Sequence, residues 1–220
     1  MHVSRSQPSD MSDNSAELRH VFVRRVHRLI QLGYKRLTPA AYTKTQEPAI
    51  TGDLVNAIDG VLSDRAEDWM IAFSVHDDPP VNDGRRKGKQ RKRVDLRIDS
   101  GSFRPRARFR FEAKRLGKGH PVTVYLGSEG LGCFLRGDYA REEDHAGMLG
   151  YVQSGELDHW GEKIAAALNQ TAKKYEVDPS LPFNPMALSS IPSFRSYRSK
   201  HKRSTVGRRI VIDHILMRFQ

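Results

Sequence analysis

Cysteine is almost absent from this sequence: Cys133 is the only one among 220 residues. A single thiol excludes a disulfide within the chain and a zinc site built from several cysteines, and scarce cysteine is typical of a reducing compartment. Long hydrophobic runs are also absent, since no stretch approaches the roughly 20 apolar residues of a membrane-spanning helix. The polar N-terminus lacks the apolar segment of a secretory signal. We therefore expect a cytoplasmic protein with no membrane partner.

Acidic residues are in deficit: 26 of them stand against 37 lysines and arginines, which gives a formal net charge of +11. Such an excess favours a polyanionic partner, with nucleic acid as the first candidate, although net charge can also simply serve solubility. Hydrophobic residues make up 38% and charged residues 29% of the chain, which is the balance of a globular protein. At this length we expect one domain with a sizeable core.

The order of polar and apolar segments predicts a flexible tail over residues 1–14 and a single domain over residues 15–220. Within that domain we expect a core over about residues 45–155, followed by a C-terminal helix and hairpin over residues 156–220. Apolar residues at helical spacing predict an amphipathic first helix over residues 15–33.

The remaining elements follow from the periodicity of apolar residues. Helices are expected over residues 45–64, 141–152 and 155–177, strands over residues 68–77, 93–99, 107–116 and 122–127, and a terminal β-hairpin over residues 193–204 and 208–219. The short, turn-rich link between residues 99 and 107 predicts that the strands on either side of it pair antiparallel. The expected fold class is mixed α/β (α+β).

Two carboxylates and a lysine fall on the polar faces of two neighbouring strands. Side chains alternate along a strand, so Glu112 and Lys114 share one face about two rises of ~3.3 Å apart, and Asp95 lies on the polar face of the strand before them. Such a set suits phosphodiester hydrolysis, because two carboxylates bind Mg²⁺ or Mn²⁺ and a lysine orients the attacking water. The alternative is an exposed, salt-bridged sheet in which Glu112 pairs with Arg97.

A further acid, Glu47, lies at the N-terminal end of the apolar stripe of the helix expected over residues 45–64. At this position a carboxylate either complements the helix dipole or points inward as a functional group. The sequence leaves both interpretations open.

Asp95 and the tripeptide Glu112-Ala113-Lys114, with sixteen residues between them, resemble the PD-(D/E)xK motif of the restriction-endonuclease-like nuclease superfamily. Val94 stands where the motif nominally has proline. The order helix, strand, strand with Asp, strand with Glu-x-Lys and helix is also similar to the core of that superfamily, over roughly residues 45–155.

The resemblance implies a restriction-endonuclease-like core, with a central mixed β-sheet flanked by helices. It implies that Asp95 and Glu112 bind the metal ion together with the Ala113 carbonyl, and that Lys114 positions the nucleophile. Glu47 is similar to an additional acidic residue of many members, which implies that it assists through a water or a second metal ion.

Seven basic residues lie among positions 85–93, after two adjacent prolines, and this composition is typical of a flexible loop. The run is either a solvated stretch or an arm for the phosphate backbone, and its position just before Asp95 favours the arm. We expect nucleic acid to contact Arg85, Arg86, Lys87, Lys89, Arg97, Arg115, Arg195 and His201.

The sequence therefore predicts a Mg²⁺- or Mn²⁺-dependent endonuclease that acts on DNA. We expect it to serve as the effector of a bacterial restriction or anti-phage defence system, as a homodimer or as a subunit of a multi-protein complex. Two alternatives stay open. One is a nucleic-acid-binding or assembly subunit with a nuclease-like fold and no catalysis, and the other is a structural subunit without affinity for nucleic acid.

Overall fold

The structure, a computed structural model, describes residues 9–81, 86–103, 105–187 and 191–220. The strands in these ranges are β1 (Phe73–Asp77), β2 (Leu96–Ser100), β3 (Ala107–Leu116), β4 (His145–Val152), β5 (Asn184–Pro185), β6 (Phe194–His201) and β7 (Ile210–Arg218). They form one seven-stranded sheet in the order β1-β2-β3-β4-β7-β6-β5. The central strands β3, β4 and β7 run parallel, and the other neighbours pair antiparallel.

Helices cover both faces of this sheet. They are α1 (Ser9–Tyr34), α2 (Glu47–Asp64), α3 (Val122–Tyr125), α4 (Leu131–Leu135) and α5 (Leu157–Gln170), with short 3₁₀ helices at Pro39–Tyr42, Asp68–Ala72 and Gly88–Gln90. Helices α1 and α2 contribute to the core on one face, and α3, α4 and α5 contribute to the core on the other. The expected mixed α/β class is confirmed. Within the described ranges, no helix has the length and hydrophobicity needed to cross a membrane.

Strands β2 and β3 pair antiparallel, as predicted, with Leu96 opposite Phe111 and Ile98 opposite Phe109. These four side chains are fully buried in the core that α1 and α2 share with the sheet. The apolar half of the alternation therefore meets the core, and the charged half is left on the opposite face. Strand β2 begins at Leu96, and Val94, two residues earlier, packs into the core on that opposite face instead of lining up with Leu96 and Ile98.

The helix predicted over residues 141–152 is wrong: His145–Val152 forms β4, the strand between β3 and β7. Residues 146–152 are all buried, and a strand buried on both faces shows a continuous apolar run instead of an alternation. Gly147 permits close packing here, because a Cβ at this position would lie 2.2 Å from a ring carbon of Phe111.

Two further predictions of strands need correction. The strand expected over residues 122–127 is the short helix α3, in which the Leu126 N–H donates to the Val122 carbonyl. Burial of Val122 and Tyr125 against the sheet overrides the local β preference of this segment. Of the strand expected over residues 68–77, only the second half is extended, as β1.

The ends of the chain differ from the predicted organisation. Helix α1 begins at Ser9, so residues 9–14 do not form a loose tail, and residues 1–8 lie outside the described residues. The C-terminal β6–β7 hairpin is confirmed, but β7 pairs with β4 along its length. The sheet therefore continues well past the core boundary expected at residue 155.

Replacing Gly147 with alanine is expected to lower the free energy of unfolding by about 1–3 kcal/mol, because the added methyl group collides with Phe111 between two central strands. Chemical denaturation followed by circular dichroism measures the loss. Gly52→Ala is the control: its Cβ would meet nothing closer than 4.0 Å, and in helix α2 it should stabilise by up to about 1 kcal/mol. Equal effects of the two substitutions would contradict the packing described for β4.

Candidate active site

Asp95 lies immediately before β2, at the point where β2 and β3 cease to pair. Its Oδ2 accepts a hydrogen bond from the Ala113 N–H at 2.6 Å. The carboxylate thereby replaces a main-chain acceptor beside β3. The register that pairs Leu96 with Phe111 brings Asp95 opposite Glu112.

Glu47 is the first residue of α2 and joins this helix to β3. Its Oε1 accepts a hydrogen bond from Lys114 Nζ at 2.9 Å, and its Oε2 accepts one from the Arg115 backbone N–H at 3.1 Å. The same position complements the positive end of the helix dipole. Both interpretations of Glu47 therefore hold together: it is a first-turn acid, and it points into the site.

The Lys114 ammonium lies at the centre of the site. Its Nζ donates to Glu47 Oε1 at 2.9 Å, to Glu112 Oε1 at 2.8 Å and to the Ala113 carbonyl at 2.6 Å. An ammonium has three donors, so these contacts use all of them. The side chain of Lys114 is 12% exposed and that of Glu112 is 6% exposed. The five residues that the sequence predicted for the metal and catalytic site are thus brought together.

Burial and crowded negative charge shift the ionisation of these groups. The pKa of Glu112 is raised to about 8, mainly by burial and next by the charge of Asp95, and Lys114 offsets only part of this. Burial also raises the pKa of Asp95, against the opposing effect of the Ala113 N–H and Lys114. Burial acts to lower the pKa of Lys114, but the carboxylates of Glu112 and Glu47 outweigh it, and this pKa is raised. The site therefore holds more negative charge than one ammonium neutralises.

A divalent cation fits this donor set. Glu112 Oε2 is buried and has no hydrogen-bond partner among the described residues. The donors that Asp95, Glu112 and the Ala113 carbonyl offer are all oxygens, which suits Mg²⁺ or Mn²⁺. In the described part of the chain, no three His, Cys, Asp or Glu side chains are grouped to hold a metal ion. Water would complete the coordination shell, as is usual for Mg²⁺.

Glu112 does not form the salt bridge with Arg97 that the sequence left open. Arg97 lies opposite Arg110 in the register of β2 and β3, and its Nε is 3.0 Å from Asp99 Oδ1 on its own strand. The cationic partner of Glu112 is Lys114. The site is therefore not an ordinary cross-strand ion pair.

The basic loop is described only in part. Arg85 lies outside the described residues. Arg86 Nη2 is 3.5 Å from Asp138 Oδ1, so this arginine attaches the loop to the segment that follows α4. Lys87 and Lys89 are exposed. The loop, which leads from β1 to Asp95, therefore presents positively charged side chains to solvent.

Two of the other predicted nucleic-acid contacts, Arg97 and Arg115, lie on the strands of the site and are half-buried. Arg195 lies on β6, three strands or roughly 14 Å from β3. Its guanidinium donates to the Asp158 carboxylate through hydrogen bonds of 2.5 and 3.0 Å. Arg195 is therefore not brought to the site.

The prediction that His201 contacts nucleic acid is wrong. The residue is fully buried, with Nε2 2.8 Å from the Ser199 hydroxyl and Nδ1 2.7 Å from the Tyr175 carbonyl. Burial lowers the pKa of His201 to about 4. The segment that follows α5 covers β6 at this point, because Val177 bridges to His201 and the Tyr175 carbonyl accepts from its ring. The alternating pattern therefore places the histidine in the core instead of on an exposed face.

Tyr139 and Cys133 lie near the carboxylates, and sequence reasoning missed both. The pKa of Tyr139 is raised by burial and next by the charge of Glu112. The pKa of Cys133 is raised to about 11 by the same two causes in the same order. Neither residue belongs to a recognisable motif, so only the path of the chain around α4 reveals their position.

Comparison with known proteins adds no relative: no family model matches the chain, and no match is found among curated proteins or among solved structures. The resemblance to PD-(D/E)xK nucleases therefore depends on the residues of the site and their arrangement.

Without metal, the contribution of Glu112 to the free energy of unfolding should fall as the pH rises from about 4.5 to about 8. The reason is that the folded protein, in which the pKa of Glu112 is raised from 4.5 to about 8, binds this proton more tightly than the unfolded chain does. Buried histidines such as His201, whose pKa is lowered from 6.5 to about 4, act in the opposite direction, but they are common to wild type and variant. The stability of Glu112→Gln relative to wild type should therefore increase with pH, which denaturant titrations of chelator-treated protein at pH 5, 6.5 and 8.5 will measure.

The control for this experiment is Glu162→Gln, which changes an exposed carboxylate on α5. It should leave the pH dependence of the wild-type protein unchanged. The same pH dependence in Glu112→Gln and wild type would contradict the burial described for Glu112.

Proposed function

We propose that this protein is a metal-dependent nuclease that hydrolyses phosphodiester bonds, with DNA as its substrate. The observation that carries the proposal is the convergence of Asp95, Glu112 and Lys114, with a buried oxygen of Glu112 that has no hydrogen-bond partner among the described residues. The net charge of +11 supports a polyanionic substrate.

The fold supports the same proposal. A strand with the Glu-x-Lys tripeptide pairs antiparallel with the strand that follows Asp95, and the sheet is mixed and flanked by helices. Helix α2 brings Glu47 to the end of β3. We propose that these elements form a restriction-endonuclease-like core. A role in bacterial restriction or anti-phage defence, and assembly as a homodimer or in a larger complex, stay predictions from the sequence.

Each residue of the site has a distinct chemical role in this proposal. Asp95, Glu112 and the Ala113 carbonyl would hold Mg²⁺ or Mn²⁺. The bound ion would polarise the phosphate and lower the pKa of a coordinated water. Lys114 would orient the attacking water by donating a hydrogen bond and would stabilise negative charge on the phosphate oxygens.

Lys114 and a metal ion compete for the same oxygens. The ammonium contacts Glu112 Oε1 and the Ala113 carbonyl, both of which belong to the proposed ligand set. When these oxygens bind a cation, Lys114 can keep its third contact, with Glu47 Oε1. We therefore propose that Glu47 serves as the acceptor that retains Lys114 beside the reaction centre, rather than as a ligand of a second metal ion.

Plasmid DNA incubated with the protein and Mg²⁺ or Mn²⁺ should be cleaved. Lys114→Ala should slow cleavage by about 100-fold or more, because positioned donors in a reaction centre are typically worth that much, while DNA binding in chelator persists. The matched control is Lys118→Ala, which removes an exposed lysine four residues away and should cleave at the wild-type rate. Absence of cleavage of both DNA and RNA by wild-type protein would contradict the proposed activity.

Mn²⁺ affinity distinguishes the two roles of Glu47. Lys114→Met should tighten binding of Mn²⁺ by about tenfold or more, since a competing cation is removed, as followed by the electron paramagnetic resonance signal of free Mn²⁺. Glu47→Gln should weaken binding when Lys114 is present, because the lysine then rests on Glu112 and Ala113 alone. In the Lys114→Met background it should change affinity by less than about threefold.

Equal weakening by Glu47→Gln in both backgrounds would contradict the acceptor role and would favour a metal or water ligand instead.

One observation favours the alternative of a non-catalytic nucleic-acid-binding or assembly subunit. Lys114 already occupies the acceptors of the site, and an ion pair of this kind also stabilises a fold without any metal. This alternative is supported if wild-type protein binds DNA but no Mn²⁺, and if Glu112→Gln leaves DNA binding unchanged.

A further inference from the structure

The polar face of β2 and β3 carries its charges in rows. Next to the row of the two site carboxylates lies a row of two arginines, because the register places Arg97 opposite Arg110. The following row pairs Asp99 with Arg108. Like charges directly opposite each other on a sheet repel, so the arginine row needs anions close to it.

Asp99 supplies one of these anions at the centre of the basic side chains. It is 2% exposed, and its carboxylate oxygens lie 3.0 Å from Arg97 Nε, 3.4 Å from His76 Nε2 and 3.9 Å from Arg106 Nε. We refer to Asp99 with Arg97, Arg106, Arg108 and Arg110 as the Asp99 cluster.

The positive charge of the Asp99 cluster is only partly neutralised. Its four arginines stand against two carboxylates, Asp99 and the Glu143 that forms an ion pair with Arg110. Arg97 Nε and Arg110 Nη1 are buried without a hydrogen bond among the described residues, so their ion pairs are poorly aligned. None of the described residues forms an ion pair with Arg108, which is exposed. Burial lowers the pKa of Arg110 to about 10, and the positive charges of Arg108 and Arg97 act in the same direction.

We propose that the Asp99 cluster binds the two phosphates next to the cleaved one along the nucleic-acid strand, the first at Arg97 and the second at Arg108. The inference rests on the proposed nuclease function, because it places the neighbouring phosphate at the row of Arg97 and Arg110, which is next to the carboxylates that would bind the cation. Consecutive rows on one face are about 6.6 Å apart, two strand rises, which is comparable to the spacing of neighbouring phosphates along a strand. Arginine also suits phosphate through paired N–H donors.

The side chains of the cluster divide into two roles. Arg97, whose side chain is 21% exposed, and the exposed Arg106 and Arg108 are accessible to a phosphate. Arg110 is 8% exposed and lies behind them, where it adds positive potential. Asp99 is a positioning residue, since it holds the guanidinium groups of Arg97 and Arg106 in place without being accessible itself.

The proposal is tested by DNA binding in chelator, where cleavage plays no part. Binding of a fluorescent duplex is measured at several NaCl concentrations for wild type, Arg108→Gln and Arg97→Gln. Each substitution should reduce the slope of log affinity against log salt by about 0.9, which is the value for one lost phosphate contact on B-form DNA. Arg108→Lys should restore the slope. Arg24→Gln, which changes an exposed arginine on α1, should leave it unchanged.

Arg108 is exposed and forms no ion pair within the described part of the chain, so its substitution does not depend on refolding of the buried cluster. Slopes for Arg108→Gln and Arg97→Gln equal to that of Arg24→Gln would overturn the proposal, whether or not the protein cleaves DNA. Reduced slopes in a protein that never cleaves DNA would support the phosphate site and would contradict only the nuclease function.

Asp99→Asn tests the positioning role separately. A merely electropositive surface would bind DNA more tightly when a negative charge is removed. The cluster should instead bind DNA at least about threefold more weakly, because Arg97 and Arg106 lose the carboxylate that orients them. Tighter binding by folded Asp99→Asn protein would overturn the assignment of Asp99 as a positioning residue.

Discussion

The Lys114 ammonium connects α2 to β3, because its three hydrogen bonds go to Glu47, to Glu112 and to the Ala113 carbonyl. Without this cation, three carboxylates would face one another with little solvent to screen them. Even with it, the pKa of Glu112 is raised to about 8. The arrangement costs stability, which is typical of sites kept for chemistry rather than for folding.

The placement of these groups follows from the end of one strand pairing. Because β2 starts at Leu96, the Ala113 N–H has no main-chain partner on that side, and Asp95 accepts its hydrogen bond instead. Helix α2 begins beside the same stretch of β3, so its first residue, Glu47, joins the site. Side-chain alternation along β2 and β3 then sets a row of acids next to a row of arginines, so the proposed cation site and the proposed phosphate site are neighbours by the geometry of the sheet.

Much of this could be predicted from the sequence, and the reasons for the failures are physical. The alternation in β2 and β3 is clear because one face is apolar and the other charged, so both the hairpin and the convergence of Asp95 with Glu112 follow from it. Strand β4 is buried on both faces, which removes the alternation, and its apolar run therefore predicts a helix. His201 shows the opposite error, since its strand alternates but the segment that follows α5 covers the polar side.

Other parts of the site depend on tertiary structure that no local pattern contains. The approach of Tyr139 and Cys133 to Glu112 follows from the path of the chain around α4. The Asp99 cluster requires the register of β2 with β3, because a shift by one residue would pair its arginines with other side chains.

A crystal structure with Mn²⁺, in which anomalous scattering identifies the ion, tests the central claim most directly. We expect one Mn²⁺ between the Asp95 and Glu112 carboxylates and the Ala113 carbonyl, with Lys114 moved off Glu112 and retained by Glu47. Crystals grown in excess Mn²⁺ that show no ion at this position, with Lys114 still bonded to Glu112, would contradict the account.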